Sequence, residues 1–300
     1  MSIAESVKAK LRNYAIKEGR TFQEILTVYG LERFLYRLSL SPYSDRFVLK
    51  GGVLLYAMFK GDFTRGTTDV DLLGIQMPDD PDPMRIIFTD IFSINDQEDG
   101  LVFDFSTLAI SSISKFKQPS GINVTIEAYL DRTKLNLNID IGFGDAVFPS
   151  PIDMEYPTLL NNHAPIIQAY SKESVIAEKF QAIVSLGRAN SRMKDFYDIY
   201  ALAKSFDFDG LILEKAIKMT FSNRKTIFSS IVAFETGFFQ DSYRRKMWNS
   251  FLKSRKIPLE LGFETVLVKL MNFLGPVVES IVNDLPYSRR WNHEKEEWAF

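Results

Sequence analysis

The sequence predicts an α+β protein in which a mixed β-sheet flanked by helices precedes a helical C-terminal lobe. Three observations predict this class. Helical apolar spacing opens the chain, β-branched and aromatic segments alternate with turn signals between residues 46 and 142, and helical spacing returns from residue 171 onward. We therefore expect two parts, residues 1–160 and residues 161–300, with the strands confined to the first part.

The first 75 residues contain two predicted helices, then a strand, a helix and a second strand. Residues 4–18 and 22–38 have helical spacing, and Thr21 with Glu24 forms the pattern of a capping box. A short apolar strand is expected over residues 46–50. A Gly-Gly pair follows it, then a helix over 53–59 and a strand over 69–75.

The middle of the chain reads as a loop, a helix and a meander of three strands. Residues 79–83 are rich in Asp and Pro and predict the loop, and residues 84–93 predict the helix. The strands are expected over residues 101–110, 122–130 and 135–142. Three prolines between residues 149 and 157 predict a loop-rich crossing. The helices expected beyond it are 172–187, 191–205, 210–220, 241–253 and 262–283.

Composition excludes several classes of protein. Hydrophobic residues make up 46% and charged residues 25% of the chain, which is typical of a folded globular protein. The absence of cysteine excludes disulfides, thiolate zinc sites and a cysteine nucleophile. His163 and His293 lack the spacing of metal ligands. No signal-peptide core and no run of about 18 apolar residues is visible, so we expect a cytoplasmic protein without a membrane segment.

The small net charge of −2 hides two oppositely charged regions. Residues 69–155 contain 16 acidic and 5 basic residues, a balance of −11, whereas residues 204–290 contain 14 basic and 9 acidic residues, a balance of +5. Acidic surface suits divalent cations, and basic surface suits a polyanion. An ordinary solvated surface is the alternative explanation of the basic region.

A pair of aspartates, Asp69 and Asp71, is the first candidate for chemistry. Side chains alternate between the two faces of a strand, so both carboxylates should share one face while Val70 and Leu72 enter the core. Two like charges this close repel each other unless a cation lies between them. Mg²⁺ accepts carboxylate oxygens and shares its remaining positions with phosphate. An exposed strand edge is the alternative for this pair taken alone.

Asp140 is the third candidate carboxylate. The segment from Leu135 to Gly142 alternates leucine or isoleucine with Asn136, Asn138 and Asp140. A strand here would bury the aliphatic residues and turn Asp140 to the polar face. If this strand lies beside the first, three carboxylates converge in a way that supports phosphoryl transfer with two metal ions.

The Gly51-Gly52 pair and Arg65 complete the predicted phosphate site. The glycines lie between a predicted strand and a predicted helix, where the backbone can approach a ligand and helix N-terminal amides favour phosphate. A Gly-Gly pair alone is more often a simple turn. Arg65 lies four residues before Asp69 and supplies a cation for the same anion.

Two helices in the second half carry the remaining candidates. Lys179 lies on the apolar stripe of the helix over 172–187, where a lysine must extend to solvent or meet an anion. The anion is either a bound triphosphate or one of the aspartates, Asp195 and Asp198, on the following helix. Arg192 is three residues from Asp195 and can pair with it, so structural ion pairing alone would also explain this helix.

Five segments together resemble the AbiEii/AbiGii-type nucleotidyltransferase toxin family, a branch of the DNA polymerase β-like superfamily. They are Phe-Val-Leu-Lys-Gly-Gly-Val-Leu-Leu, Thr-Arg-Gly-Thr-Thr-Asp-Val-Asp-Leu-Leu-Gly, Asn-Ile-Asp-Ile-Gly-Phe-Gly-Asp, Val-Ile-Ala-Glu-Lys-Phe-Gln-Ala and Ser-Arg-Met-Lys-Asp-Phe-Tyr-Asp-Ile. Each motif is weak alone, but the five occur in order, and the likeness runs from about residue 5 to residue 280. The superfamily usually has Gly-Ser where this chain has Gly51-Gly52, so one hydroxyl contact to phosphate is missing.

The resemblance implies a nucleotidyltransferase core and a helical lobe that contributes to the cleft. It implies a toxin of a bacterial toxin–antitoxin or phage-defence system, with an antitoxin encoded nearby, and some members transfer nucleotides to the 3′ end of tRNA. By motif, the implied catalytic residues are Asp69, Asp71, Lys179 and Asp195. The implied nucleotide-binding residues are Gly51, Gly52, Lys179 and Asp198, to which the residue-level argument adds Arg65, and the implied metal ligands are Asp69, Asp71 and Asp140.

We therefore expect an enzyme that binds an NTP and two Mg²⁺ ions and moves NMP to an acceptor hydroxyl, with release of pyrophosphate. The expected acceptor is the 3′ end of tRNA or another RNA, held by the basic helical half, and its modification would block translation. Two alternatives stay open at this stage. One is transfer to a protein or a small molecule, and the other is an NTP-binding module without transferase activity.

Overall fold

The computed structural model of the protein describes residues 2–61, 67–113, 121–228 and 231–300. The chain divides into two compact units. The first contains residues 1–144 and 152–169, and the second contains residues 145–151 and 170–300. The fold is α+β, as the sequence predicts: within the described residues the first unit contains a seven-stranded sheet and four α-helices, and the second unit is mainly helical.

Helices of the first unit follow the predicted order. They are α1 (Ile3–Lys17), α2 (Phe22–Leu40), α3 (Gly51–Met58) and α4 (Pro81–Ser93). The capping box expected from Thr21 and Glu24 is present at the start of α2. The loop expected over residues 79–83 is shorter than predicted, because Asp80 caps α4 and Pro81 occupies its first turn. Proline is compatible with that position, since the first-turn amides have no partner within the helix.

The sheet of the first unit has the order β3-β4-β5-β2-β1-β7-β6. Its pairing is mixed: β2 runs parallel to β5 and β1 parallel to β7, and the other neighbours are antiparallel. The strands are β1 (Phe47–Lys50), β2 (Val70–Gly74), β3 (Leu101–Ile113), β4 (Gly121–Leu130), β5 (Thr133–Phe143), β6 (Ile152–Glu155) and β7 (Ile166–Ala169).

The two short strands β6 and β7 are missing from the sequence-based prediction, which placed a loop-rich crossing here. Each has four residues, and they pair with each other across the proline-rich segment. Only Leu49 and Ala169 are paired between β1 and β7. β6 is largely exposed, so it shows no alternation of buried and exposed residues. These strands form from tertiary pairing and not from a local pattern.

Alternation along β5 follows the prediction and places the polar face. Leu135, Leu137, Ile139 and Ile141 are buried, whereas Asp140 is half-buried. The neighbouring strand β2 buries Val70 and Leu72 and leaves Asp71 half-buried. Helix α2 packs with a largely apolar face against β5, where Gly30 lies close to Leu135 and Leu137, so the buried side of β5 is covered by this helix.

In its described residues, the second unit consists of helices and one small sheet. The helices are α5 (Lys172–Leu186), α6 (Met193–Ser205), α7 (Gly210–Asn223), α8 (Thr236–Phe239), α9 (Ser242–Ser254) and α10 (Phe263–Val282). The sheet has the order β10-β9-β8, from strands β8 (Phe208–Asp209), β9 (Arg290–Asn292) and β10 (Glu297–Ala299), which the sequence did not predict. Trp248 of α9 packs on Phe263 of α10, with ring centroids 5.2 Å apart.

Residues 145–151 belong to the second unit through a polar network around Arg224. The guanidinium donates to Asp145 at 2.7 Å, to Glu178 at 3.0 Å and to Gln181 at 2.9 Å. Burial alone would lower the pKa of Arg224, but the carboxylates of Glu178 and Asp145 raise it. The network therefore fixes the segment that follows β5 onto helices α5 and α7.

Helix α10 is the one helix in the described ranges that is long and apolar enough to cross a membrane by length and composition. We expect no such segment from the sequence. That prediction misses this helix because scattered polar residues interrupt the apolar run, which is therefore shorter than about 18 residues. Val266, Leu270, Phe273 and Val277 are buried, and the helix packs against α6 and α7 of its own unit. This burial is what the core helix of a globular unit requires.

Candidate active site

Asp71 lies in β2, and Asp69 lies one residue before that strand begins. The strand therefore starts a residue later than predicted. The Asp69 carboxylate accepts hydrogen bonds from the Thr68 amide and the Thr68 hydroxyl, both at 3.3 Å. These short-range bonds fix the side chain of Asp69 where the loop enters the strand.

Asp140 lies directly beside Asp71, as the sequence predicts. The parallel register of β2 and β5 pairs Asp71 with Asp140. One ligand oxygen from each of Asp69, Asp71 and Asp140 can be chosen so that all three lie within 4.8 Å of one another. All three side chains are half-buried, so the carboxylates converge at a position that solvent and a ligand can reach.

Two further polar residues, which the sequence analysis missed, extend this arrangement across the sheet. Asn123 of β4 is the register partner of Asp140, and its amide nitrogen donates to the Asp140 carboxylate at 2.7 Å. Lys50 of β1 is the register partner of Asp71. Directly opposed residues of antiparallel strands project from the same face. We call these four residues, Asn123, Asp140, Asp71 and Lys50, the polar row.

Gly51 and Gly52 form the first turn of α3, which begins immediately after β1. Gly51 has φ of +72°, in the left-handed region that favours glycine. A Cβ atom at this position would overlap the Asp71 carboxylate, and it would lie only 2.6 Å from Asp71 Cγ. The glycine thus lets the helix N-terminus approach the carboxylates closely. Arg65, predicted to bind the same anion, lies outside the described residues.

The three carboxylates fit a divalent cation. Oxygen ligands of Mg²⁺ stand about 2.1 Å from the ion, so their mutual distances range from about 3.0 to about 4.2 Å in an octahedral shell. The 4.8 Å limit on the carboxylate oxygens is compatible with that range after small side-chain rotations. Hard cations prefer oxygen ligands. A bound cation would also relieve the repulsion between the closely spaced carboxylates.

In the second unit, Lys179 is held by two buried aspartates. Its ammonium nitrogen lies 2.6 Å from Asp198 Oδ2 and 3.2 Å from Asp195 Oδ1. Arg192 Nε donates to the other oxygen of Asp195 at 2.5 Å. Two cations and two carboxylates therefore form a compact group, which we call the ion quartet. Ion pairing is thus present, and the predicted binding of a triphosphate by Lys179 stays a prediction.

Electrostatics of the ion quartet favour the charged forms. Burial alone would raise the pKa of Asp195, but Lys179 and Arg192 reverse that effect and hold the pKa below its ordinary value. The aspartate is consequently ionised throughout the neutral range. Lys179 is itself only 12% exposed through its side chain, so a partner anion is required for a lysine at this depth.

Three converging carboxylates are compatible with nucleotidyl transfer, and a comparison with protein families gives the class of this chain. A family model described as nucleotidyl transferase AbiEii toxin, type IV toxin–antitoxin system, matches residues 33–269. The chain belongs to this family, and it is therefore a nucleotidyltransferase toxin of a toxin–antitoxin system, as the resemblance implies. Membership also implies a nucleotide substrate and a cognate antitoxin.

Two solved structures from Helicobacter pylori are similar to this chain. JHP933 is 18% identical, with a TM-score of 0.47 over 87% of this chain and 92% of that one. A protein solved as a candidate nucleotidyltransferase is 17% identical, with a TM-score of 0.46 over 87% of this chain and 95% of that one. No curated protein matches the chain.

Proposed function

We propose that the protein transfers NMP from an NTP to the 3′ hydroxyl of an RNA, with Mg²⁺ bound by Asp69, Asp71 and Asp140. The acceptor we favour is tRNA, whose modified 3′ end could no longer carry an amino acid, and translation would stop. The acceptor oxygen would bond to the α-phosphorus, and the bond from that phosphorus to the bridging oxygen of the leaving pyrophosphate would break.

The convergence of the three carboxylates is the observation that carries this proposal. One oxygen from each lies within 4.8 Å of the other two; Asp71 and Asp140 are register partners on β2 and β5, and Asp69 lies just before β2. A divalent cation held there would neutralise charge on the triphosphate and lower the pKa of the attacking hydroxyl. The three carboxylates would set the position of the cation. The side-chain amide of Asn123 donates a hydrogen bond to Asp140 and orients its carboxylate.

Gly51 and Gly52 are proposed to receive the phosphates. They lie in the first turn of α3, where backbone amides lack partners within the helix. The N-terminal end of a helix attracts anions for this reason. The contact between Gly51 and Asp71 brings those amides next to the carboxylates, so a nucleotide phosphate and a metal ion would be neighbours. Arg65 is proposed, from the sequence alone, to add a cation.

Lys179, Asp195 and Asp198 have proposed roles that rest on their motif matches. Lys179 would bind the triphosphate, and Asp195 or Asp198 would hold it or help to activate the hydroxyl. In the ion quartet each aspartate already accepts from Lys179, which supports the holding role. A lysine constrained by two buried carboxylates loses little conformational entropy when it meets a further anion.

The charge of residues 204–290 supports an RNA acceptor, and the proposed target supports a cytoplasmic location. Residues 204–290 have a balance of +5, from 14 basic and 9 acidic residues, in a chain whose overall charge is −2. Basic surface of this kind attracts a polyanionic acceptor, whereas transfer to a neutral small molecule would not require it. A toxin that blocks translation must also share a compartment with tRNA.

The test is a transfer assay on the purified protein. The protein is incubated with Mg²⁺, total RNA and each NTP in turn, labelled at the α-phosphate, and the RNA is separated on a denaturing gel. We expect one labelled RNA band with one preferred NTP. No RNA should be labelled when EDTA is present during the reaction. Digestion from the 3′ end should release the label.

Matched variants connect the activity with the site. Asp71→Asn and Asp140→Asn should each lower the transfer rate by at least about 10²-fold, the usual cost of removing one charge-stabilising group from such a site. Asp79→Asn makes the same charge change at an exposed position outside the carboxylate group and should leave the rate unchanged. Label on protein and none on RNA would contradict the proposed acceptor. Undiminished transfer by Asp71→Asn would contradict the proposed site.

A further inference from the structure

A surface groove of about 530 Å³ lies in the second unit, between the start of α6 and one side of α9. The groove is open to solvent, so a ligand would lie along its surface. Among the described residues that line the groove, four of ten are cations and none is acidic. The cations are Arg192, Lys194, Lys246 and Arg255, and Tyr243 and Phe251 supply two aromatic rings.

Helical spacing explains why α9 presents these residues together. Tyr243, Lys246, Met247, Ser250 and Phe251 follow the i, i+3, i+4, i+7, i+8 pattern and therefore form one stripe on the helix. The opposite side of α9 is buried through Trp248 and Leu252. The stripe is consequently fixed in orientation by packing against the rest of the unit.

Two cations of the groove, Lys194 and Lys246, can be reached by a ligand. Lys194 and Lys246 are exposed, and no carboxylate lies within ion-pair distance of either one in the part of the chain that the structure describes. Tyr243 is 67% exposed, an unusual state for a large aromatic side chain. Positive charge beside an exposed ring is the combination with which proteins hold the phosphates and bases of single-stranded nucleic acid.

One residue connects this groove with the ion quartet. Arg192 lines the groove, and its Nε atom binds the Asp195 carboxylate that also binds Lys179. The chain of contacts from groove to Lys179 thus consists of two hydrogen bonds within one unit. A strand of RNA in the groove would therefore contact a residue whose position depends on the quartet.

We infer that the groove binds the single-stranded 3′ segment of the RNA acceptor, with Lys194 and Lys246 on phosphates and a base stacked on Tyr243. This inference rests on the proposed function, because it identifies where the RNA acceptor is held. An acidic protein segment would also be attracted by the lysines. It would gain much less from Tyr243, since a carboxylate does not stack on an aromatic ring.

The test measures binding without catalysis. A fluorescent single-stranded RNA of about 12 nucleotides is titrated with the protein in EDTA and without NTP, and its anisotropy is followed. Lys194→Glu/Lys246→Glu is compared with Lys253→Glu/Lys256→Glu. The second pair makes the same charge change on exposed lysines that do not line the groove. Circular dichroism and thermal melting establish that both variants fold.

The expected loss follows from counter-ion release. Affinity for single strands varies with salt as a power of about −0.7 for each phosphate contact. Two lost contacts should therefore weaken binding about 25-fold at about 0.1 M salt and reduce the slope of the log–log plot by about 1.4. The control pair should change the slope by much less. Equal losses in both pairs would overturn the assignment, because the attraction would then be general and not located in the groove.

Tyr243 gives an independent measurement. Tyr243→Phe keeps the ring and should bind RNA as the parent does, whereas Tyr243→Leu should bind about tenfold more weakly, the usual cost of one lost stacking contact. A fluorescent polyglutamate peptide is titrated in parallel. If the peptide binds as tightly as the RNA, and if Tyr243→Leu weakens the binding of neither ligand, the occupant is an acidic protein segment and the inference is overturned.

The transfer assay separates failure of this inference from failure of the proposed function. Suppose that the parent protein labels RNA and that Lys194→Glu/Lys246→Glu binds and labels RNA equally well. The groove would then not be the RNA-binding surface, and the proposed function would still stand. RNA binding lost specifically in that variant supports the groove even if the parent labels no RNA, and in that case the proposed function fails alone.

Discussion

Replacing Gly51 with alanine tests whether the position of the Asp71 carboxylate sets activity. The backbone at Gly51 has φ of +72°, and an added Cβ would overlap Asp71 Oδ2 and lie 2.7 Å from Asp71 Cβ. Real Cβ atoms do not tolerate such contacts, so either the first turn of α3 or the Asp71 side chain must move. Both movements separate the helix N-terminus from the carboxylates.

The stability cost has two parts. An L-residue in the left-handed region costs about 1–2 kcal/mol, and overpacking against a neighbour costs about 1–3 kcal/mol. We expect Gly51→Ala to lose about 2–5 kcal/mol of unfolding free energy, by summing those two ranges. Most domains would stay folded after such a loss, since their stability is about 5–15 kcal/mol. Activity should fall by about 10²-fold or more, because a carboxylate is displaced.

Gly19→Ala is the matched control. Gly19 has φ of +61°, and an added Cβ would meet nothing within 4 Å. This variant should lose only the backbone part, about 1–2 kcal/mol, and keep the full transfer rate. Urea denaturation gives the unfolding free energies, and incorporation of α-labelled nucleotide into RNA gives the rates. If Gly51→Ala loses no more activity than Gly19→Ala, the position of Asp71 does not control the reaction and our interpretation of Gly51 is wrong.

Three further perturbations address neighbouring features. Asn123→Leu removes the amide that orients Asp140, and we expect the Mg²⁺ concentration for half-maximal rate to rise about 10–100-fold; an unchanged requirement would exclude this positioning role. Lys179→Met leaves two buried carboxylates without their shared cation and should cost about 3–5 kcal/mol in urea denaturation, whereas a cost near zero would mean that the ion quartet relaxes. Burial raises the pKa of Glu32 from 4.5 to about 7, although the neighbouring guanidinium of Arg33 acts to lower it. The native state therefore keeps a proton that the unfolded chain releases, so stability should fall by about 3 kcal/mol as pH rises through that window. Glu32→Gln should remove the fall, and an identical pH profile for the variant would contradict it.

Long elements with strong periodicity were predictable from the sequence. The helix over 22–38 and the strand over 135–142 were expected within a few residues of α2 and β5, because their apolar faces are long and regular. The convergence of Asp140 with the aspartate pair was also predictable and is confirmed, since alternation along β5 determines which side chains face the polar side. Its role in metal binding stays a prediction.

Other features depend on contacts between distant residues and have no local pattern. β6 and β7 have four residues each, and β9 and β10 three each, too few for alternation to be recognised. Lys50 and Asn123 are ordinary residues in the sequence and become part of the site only through strand register. Gly51 was predicted as a phosphate-approach glycine, but the described contact that forbids a side chain there is with Asp71, twenty residues later in the chain.

The polar row also indicates why the site can stay ordered despite the close approach of its carboxylates. Lys50, Asp71, Asp140 and Asn123 occupy matching positions on β1, β2, β5 and β4, four adjacent strands within the sheet. The distance between neighbouring side chains in such a row is set by backbone pairing, because adjacent strands lie about 4.8 Å apart. The apolar residues on either side of Asp71 and Asp140 are buried, so a slip of one residue would expose that core. Repulsion between the carboxylates is therefore opposed by the packing of the whole sheet. Strand pairing therefore holds these carboxylates close together, which is the kind of preorganisation that the proposed phosphoryl transfer would require.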